Sequence, residues 1–278
     1  MAKDIQPPKQ IKLSVVIPSY KDQYLPKTIQ SLLDNSELAD ALEIIAVFDG
    51  YWPVFDLVYD PRVRYIHMGK NGGMRRSINA GVAIARGEFF MRLDEHCSFA
   101  KGYDKVLTDA CKENEVMTAR RYFLDPVKWE VMQEHGYVDY EKLVIQDMGN
   151  GVKKFSGQKW RSRDKERESV MVDETMAMQG SMWIAHREFF LKIVGELQSE
   201  GYGPMYQDSV EVCMKYWQAG GRLMLNKNTW FAHKHRSFNR THNEGTKENP
   251  SSKHEGWRYS LDTWGDYYIN ELKPRFGI

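Results

Sequence analysis

The chain has 278 residues, 42% of them hydrophobic and 28% charged, enough to bury a sizeable core in one large or two fused domains and too apolar for wholesale disorder. A formal net charge of +1 excludes general polyanion binding, so any attraction to phosphate or nucleic acid has to come from a local patch. Three cysteines, Cys97, Cys111 and Cys213, have neither paired metal spacing nor disulfide-scaffold density, and no apolar run reaches the roughly 18 residues of a membrane span, which points to a cytoplasmic protein.

Residues 1–11 read as a polar extension. Residues 12–18 are an apolar, β-branched run closed by proline, followed by a helical stretch from Leu25 to Leu33. A second strand, 42–48, ends at Asp49-Gly50, and strand–helix–strand implies parallel pairing. A short strand at 63–67, a helix at 74–86, the stop at Gly87 and a buried strand at 88–93 complete a nucleotide-binding half, residues 12–118. In a doubly wound sheet, ligands lie beyond the carboxyl ends of the strands, where Tyr20, Asp49 and Asp94 fall. A helix at 103–114 and a strand at 116–120 lead into residues 119–241, the acceptor-side and catalytic half. There the weak periodicity of 125–175 predicts a long insertion or acceptor-facing loop rather than more sheet. Order returns at 177–185, in a helix over 187–194, in a helix over 208–219 stopped by Gly220-Gly221, and in a strand at 222–225. The tail, 242–278, is turn-rich to 256 and carries aromatic residues at helical spacing over 257–271.

The most informative stretch is Arg92 to Cys97 (RLDEHC). Asp94 and His96 are two residues apart at a strand end, so in extended chain they face the same way and can bind one divalent cation. Asn71, Gly72 and Gly73, just before Arg75 and Arg76, form a glycine-loosened turn that lets backbone amides and a guanidinium approach a diphosphate.

Taken in order, LSVVIPSY (13–20), VFDG (47–50), NGG (71–73), LDEHC (93–97), Gln179-Gly180, the segment 211–221 and HKHR (233–236) resemble the family 2 glycosyltransferases and the related polypeptide N-acetylgalactosaminyltransferases. The resemblance covers most of residues 12–240. It implies a GT-A fold: an α/β protein with a single Rossmann-like, doubly wound mixed sheet and an acceptor-side subregion. It also implies a UDP-sugar donor and a divalent metal, with Mn2+ suiting two histidines and an acid. By the same resemblance Pro18, Ser19 and Tyr20 lie beneath the base and ribose, and Asp49 accepts from the uracil N–H, as a carboxylate can. Arg76 and Asn79 match donor-side positions, and Gln179-Gly180 replaces a Gly-Gly pair beside the donor sugar. The third metal ligand is His233, with His235 the alternative.

In inverting relatives the base is the second residue of a Glu-Asp pair opening the helix at 208. Here that pair is Asp208-Ser209, and serine cannot act as a carboxylate base, so the resemblance leans towards retention. Asp208 and Glu211, one turn further on, remain alternative bases. Between Val152 and Glu168, seven lysines and arginines interleave with Phe155 and Trp160. Lys159, Trp160, Arg161 and Arg163, with Arg236, therefore suit a polyanionic acceptor, and hydroxymethylpyrimidine in DNA is one. The competing reading is a solvated loop serving a peptide, glycan or small-molecule acceptor. A nucleotidyltransferase and a silent nucleotide-sugar-binding module are the other function classes.

Overall fold

A computed structural model describes residues 10–203, 205–235 and 250–278. The elements in chain order are β1 (Leu13–Ser19), α1 (Leu25–Asn35), β2 (Leu42–Asp49), β3 (Val63–Met68), α2 (Met74–Ile84), β4 (Phe89–Leu93), β5 (Cys97–Phe99), α3 (Tyr103–Ala110) and β6 (Glu115–Asp125). There follow β7 (Glu130–Val131), β8 (Tyr137–Val138), β9 (Glu141–Asp147), β10 (Lys153–Lys159), α4 (Arg161–Glu166), β11 (Val172–Glu174), β12 (Met182–His186), α5 (Arg187–Ile193), α6 (Asp208–Gln218), β13 (Arg222–His233), α7 (Pro250–Tyr267) and α8 (Lys273–Arg275).

One mixed sheet organises the molecule, in the order β11-β13-β6-β12-β4-β1-β2-β3, with β5 added to β13 and β7 and β8 to β6. The half built from β1 to β4 is parallel, because each strand returns through a crossover. Antiparallel β12 joins it to the parallel β6–β13 pair. The expected division at residue 118 falls inside β6, so a continuous sheet spans both halves.

Strand alternation distributes the core to both faces. Leu13, Val15 and Ile17 of β1 pack with Leu25, Ile29 and Leu32 of α1 and with Tyr103 and Leu107 of α3. On the opposite face Val16 meets Ile78 and Val82 of α2, and the same cluster extends through Phe90, Trp183 and Phe190 to Val212 and Tyr216 of α6. Helix α2 lies close on β1 because it presents Gly81 there: a Cβ at that position would fall 2.3 Å from Val16 Cγ1.

Residues 125–175 form the insertion that their weak periodicity allows, but an ordered one rather than a loop, and its edges also join the main sheet. These residues hold an antiparallel hairpin, β9–β10, whose buried faces carry Leu143 and Phe155, then α4, and finally β11 at the sheet edge. The hairpin packs under the C-terminal helices, where Tyr268 donates to Leu143 O at 2.7 Å and meets Phe155 edge-on. Pairing across elements far apart in sequence therefore supplies the order that local periodicity lacks. The strand expected at 222–225 runs on to His233, and the helix expected to reach 114 stops at Ala110. Residues 1–9 and 236–249, which include Arg236 and the first part of the stretch expected to be turn-rich, lie outside the described residues, and the rest of that stretch, 250–256, is already helical in α7.

A fully buried ion pair ties α2 to α6. Arg75 Nη1 donates to Glu211 Oε2, Arg75 Nε reaches Tyr206 O at 3.1 Å, and the guanidinium stands over the Tyr202 ring. Lys215 holds the other Glu211 oxygen at 2.7 Å. Glu211→Ala would strand the guanidinium charge, and a loss of about 3–5 kcal/mol is expected in chemical denaturation. A loss below 1 kcal/mol would show that Arg75 finds other partners.

Candidate active site

The carboxyl ends of β4 and β13 meet through a short strand. Antiparallel pairing of β5 with β13 sets Cys97 opposite His233, and Lys234 N donates to His96 O at 3.1 Å. Asp94, His96 and His233 thereby converge, with one ligand atom from each all within 4.8 Å of one another. Asp94 Oδ2 lies 3.2 Å from His233 Nε2 and 3.8 Å from His96 Nε2. The backbone of Asp94 is fixed by Ser181 O, which accepts from its N–H at 2.8 Å.

The contacts behind these three residues are equally ordered. His96 Nδ1 faces Asp22 Oδ2 at 2.9 Å, which selects the tautomer protonated at Nδ1 and turns the Nε2 lone pair towards Asp94. That Nε2 is buried and has no hydrogen-bond partner. A basic nitrogen left unsatisfied beside a carboxylate and a second imidazole fits a divalent cation, and two histidines with one acid suit Mn2+ or zinc chemistry.

Charges around the cluster favour its ligand form. Burial pushes the Asp94 carboxyl up, but Arg92, the His233 hydrogen bond and the two imidazoles outweigh it and hold Asp94 well below its ordinary value. Burial carries His233 down to about 4 against the pull of Asp94, so its ring is neutral near pH 7. His235, the alternative ligand, is outside the cluster: its Nε2 accepts from Arg121 Nη1 at 2.6 Å, and burial with that arginine lowers it to about 4.

A cleft of about 380 Å³ opens beside the cluster, lined by Asp94 and His233, by Arg92, by Gln179 to Ser181, by Asp208 and Ser209 at the start of α6, and by Glu141 and Gly157 of the hairpin. Arg92 rises from the strand interior, 2.8 Å from Asp94 Oδ1 and 4.0 Å from Asp208 Oδ2. A second hollow, about 430 Å³, lies among Asp22, Tyr24, Tyr51, Trp52 and Phe55.

The sequence pattern described as Glycosyl transferase family 2 matches residues 14–194. The chain belongs to glycosyl transferase family 2. It is 24% identical over 233 residues to mouse (Mus musculus) polypeptide N-acetylgalactosaminyltransferase 12, covering 76% of this chain and 38% of the relative. It is 24% identical over 246 residues to the putative polypeptide N-acetylgalactosaminyltransferase 13 of Drosophila melanogaster, covering 78% and 40% respectively. The chain thus spans about two fifths of the length of these curated relatives. A structure of GalNAc-T7 with UDP, GalNAc and Mn2+ superposes with a TM-score of 0.71 at 17% identity, over 95% of this chain and 50% of that one. The fold is therefore GT-A. No helix among the described residues is long and apolar enough to cross a membrane.

Several family-matched positions have structural duties. Asp49, assigned to uracil, is buried and knots the following loop: it accepts from Gly72 N at 2.7 Å, from Gly73 N at 2.8 Å and from Asn71 Nδ2 at 2.9 Å. Burial raises its carboxyl, and the two loop amides and Arg76 pull it back. Gly73 supplies the φ of +88° at the start of α2. Arg76 is exposed on the first turn of that helix. Asn79 has a structural partner, its side-chain amide exchanging hydrogen bonds with the Leu197 backbone at 3.0 and 2.9 Å. Ser19 Oγ is bonded to the Tyr51 hydroxyl, Tyr20 N donates to the Glu95 carboxylate at 3.0 Å, and Pro18 pairs with Val47 inside the sheet.

Of the candidate bases, Glu211 is consumed by Arg75 and Lys215, whereas Asp208 and Ser209 line the cleft. The basic segment is also corrected. Trp160 is 8% exposed, packed against Phe276, and cannot stack on a base. Arg163 donates to Glu174 O at 2.8 Å and lies between the Tyr140 and Trp160 rings, while Lys159 is bonded to Tyr137 O. Arg161 alone of these three cations is exposed without such a tie, at the start of α4. The charges that looked like a phosphate-binding loop mostly fasten the hairpin and α4 to their neighbours.

Asp22, Arg92 and Glu141 were missed. An arginine inside the otherwise apolar run FFMRL was the available signal for Arg92, since a buried charge needs partners. Asp22 and Glu141 stand in polar contexts and gave none.

Asp22→Ala should weaken Mn2+ binding about 10–100-fold by calorimetry while leaving all three ligands in place. Unchanged affinity would separate Asp22 from the metal centre. In metal-free protein, the unfolded chain gains protons at His233 and His235 as pH falls from 6.5 towards about 4, and the folded chain refuses them. Their contribution to stability is complete above pH 6.5 and declines through that window, so the urea midpoint should fall with it. A midpoint unaffected by replacing both histidines with glutamine would contradict this.

Proposed function

We propose that this chain is a metal-dependent glycosyltransferase that moves a sugar from a UDP-sugar to a hydroxyl acceptor, with Mn2+ as the resident cation. The observation that carries the proposal is the convergence of Asp94, His96 and His233, with the orphaned His96 Nε2 turned inward by Asp22. Further support comes from membership of the family and from a fold shared with a structure that holds UDP and Mn2+.

The residues divide the work as follows. A cation bound at the cluster would neutralise negative charge on the departing diphosphate. Gly72 N and Gly73 N are taken up by Asp49, so the exposed Arg76 on the next turn is the group of this loop left to approach the diphosphate. Pro18, Ser19 and Tyr20 end the strand beneath the base, beside the aromatic hollow of Tyr51 and Trp52. Gln179 and Gly180 flank the sugar, and Asp208 with Ser209 closes the cleft.

Retention of the anomeric configuration is part of the proposal. Ser209 carries no carboxylate, and Glu211 is locked in its ion pair, which leaves Asp208 beside Arg92 as the single cleft-facing acid of α6. Orienting the acceptor and leaving group on one face requires no second carboxylate base. The acceptor is a peptide, glycan or small-molecule hydroxyl: Phe155 and Trp160, the aromatic residues of the basic segment, are both buried and offer no ring to a DNA base.

Incubation with UDP-sugars and pools of peptide, glycan and hydroxymethylated DNA tests the whole reading. UDP release should depend on Mn2+, and Asp94→Ala or His96→Ala should lower it at least about 100-fold, in keeping with loss of metal-assisted leaving-group departure. Proton NMR of the first product should show the donor's anomeric coupling. Turnover in excess chelator would overturn metal dependence, and an inverted product would make Asp208 the base.

A further inference from the structure

We propose that Glu141 and Gln179 form a clamp that reads hydroxyl groups on the donor sugar and selects neutral sugars over acidic ones. This rests on the UDP-sugar reading and identifies the donor class at that site.

Glu141 opens β9 and is buried, yet its carboxylate lines the cleft together with Asp94, Arg92 and Asp208. Its Oε1 accepts from the Gln179 side-chain amide. Its Oε2 has no hydrogen-bond partner among the described residues, and neither has Gln179 Oε1. The pair therefore offers two acceptor oxygens to whatever fills the cleft. Burial raises the Glu141 carboxyl, with Gln179 and Arg121 drawing it back.

The backbone keeps this pair in place. Glu141 O accepts from Ala177 N at 3.2 Å and from Thr175 Oγ1 at 3.4 Å, which laces β9 to the segment bearing Gln179. Gly157, diagonally across the hairpin on β10, keeps the outer carboxylate oxygen clear: a Cβ there would come within 3.1 Å of Oε2. Two residues beyond Gln179, Ser181 O holds the Asp94 backbone at 2.8 Å. The clamp is thus built onto the strand end that carries the metal ligands, where the sugar joined directly to the diphosphate has to lie.

Charge sets the selectivity. The described residues of the lining hold three carboxylates, Asp94, Glu141 and Asp208, and a single arginine. Arg92 is committed to Asp94 at 2.8 Å and lies 4.0 Å from Asp208. A uronate carboxylate would meet Glu141 with no uncommitted side-chain cation in the lining to receive it, the metal being engaged by the diphosphate, whereas sugar hydroxyls donate to both open oxygens.

Calorimetry on the full chain with Mn2+ decides the matter, with UDP, UDP-glucose, UDP-N-acetylgalactosamine and UDP-glucuronate as probes and with Glu141→Gln and Gly157→Ala as variants. Wild-type protein should bind at least one neutral UDP-sugar more tightly than UDP-glucuronate. Glu141→Gln should weaken that neutral donor about tenfold, the worth of one charge-assisted hydrogen bond, and narrow its advantage over UDP-glucuronate. Affinity for UDP, which lacks the sugar, should stay within about twofold. Gly157→Ala, which keeps the carboxylate but crowds its Oε2, should produce the same selective loss without lowering the melting temperature. Equal effects on UDP and UDP-sugar, no effect on either, or wild-type preference for UDP-glucuronate would overturn the clamp while leaving the UDP site standing. Failure of wild-type protein to bind UDP at all would take down the UDP-sugar reading and the clamp together.

Discussion

Everything at the site depends on the three-residue strand β5. The chain leaves β4 at Leu93, turns through Asp94 and His96, and at once pairs antiparallel with the far end of β13. That register brings the His96 and His233 rings to 4.9 Å although 137 positions separate them in sequence. Backbone hydrogen bonds do this work, so the geometry of the three side chains is set by the sheet itself. Helix α1 reinforces the turn from below: Thr28 donates to Glu95 O at 3.0 Å and accepts from Cys97 N at 2.9 Å.

Charge is distributed around that geometry with the same economy. A buried arginine on β4 would be costly alone, but Arg92 lies between Asp94 and Asp208 and links the Asp94–His96–His233 cluster to the first residue of α6. One turn along the same helix Glu211 takes Arg75 from α2 and becomes structural. Two acids three residues apart on one helix thus have opposite fates. The helix start faces the cleft, and the next turn is sealed beneath Tyr202 and Lys215.

The acceptor side shows how charge-rich sequence misleads. Lysines and arginines between 153 and 167 look like a mobile phosphate-binding loop, yet their aliphatic stems and guanidinium planes cover aromatic rings, as Arg163 does over Tyr140 and Trp160. Arg167 makes a two-pronged bond to Asp173 at 2.9 Å, which helps hold α4 against β11. Folding this segment against the sheet also delivers Glu141 and Gly157 to the cleft.

By itself the sequence determined the parallel strands of the first half, the helices between them and the strand-end position of Asp94 and His96, because alternation, β-branching and glycine stops are local signals. It also marked His233, through a short string whose form resembles relatives. It could not decide which polar side chains are spent on the fold. Asp49 and Asn79 carry the residue types expected of donor ligands, but the loop amides of 72 and 73 and the backbone of Leu197 claim them. Asp22 and Glu141 acquire meaning only beside His96 and Gln179, 74 and 38 residues away. A hydrogen-bond partner is chosen by proximity in the closed sheet, and closure between distant segments leaves no periodic trace along the chain.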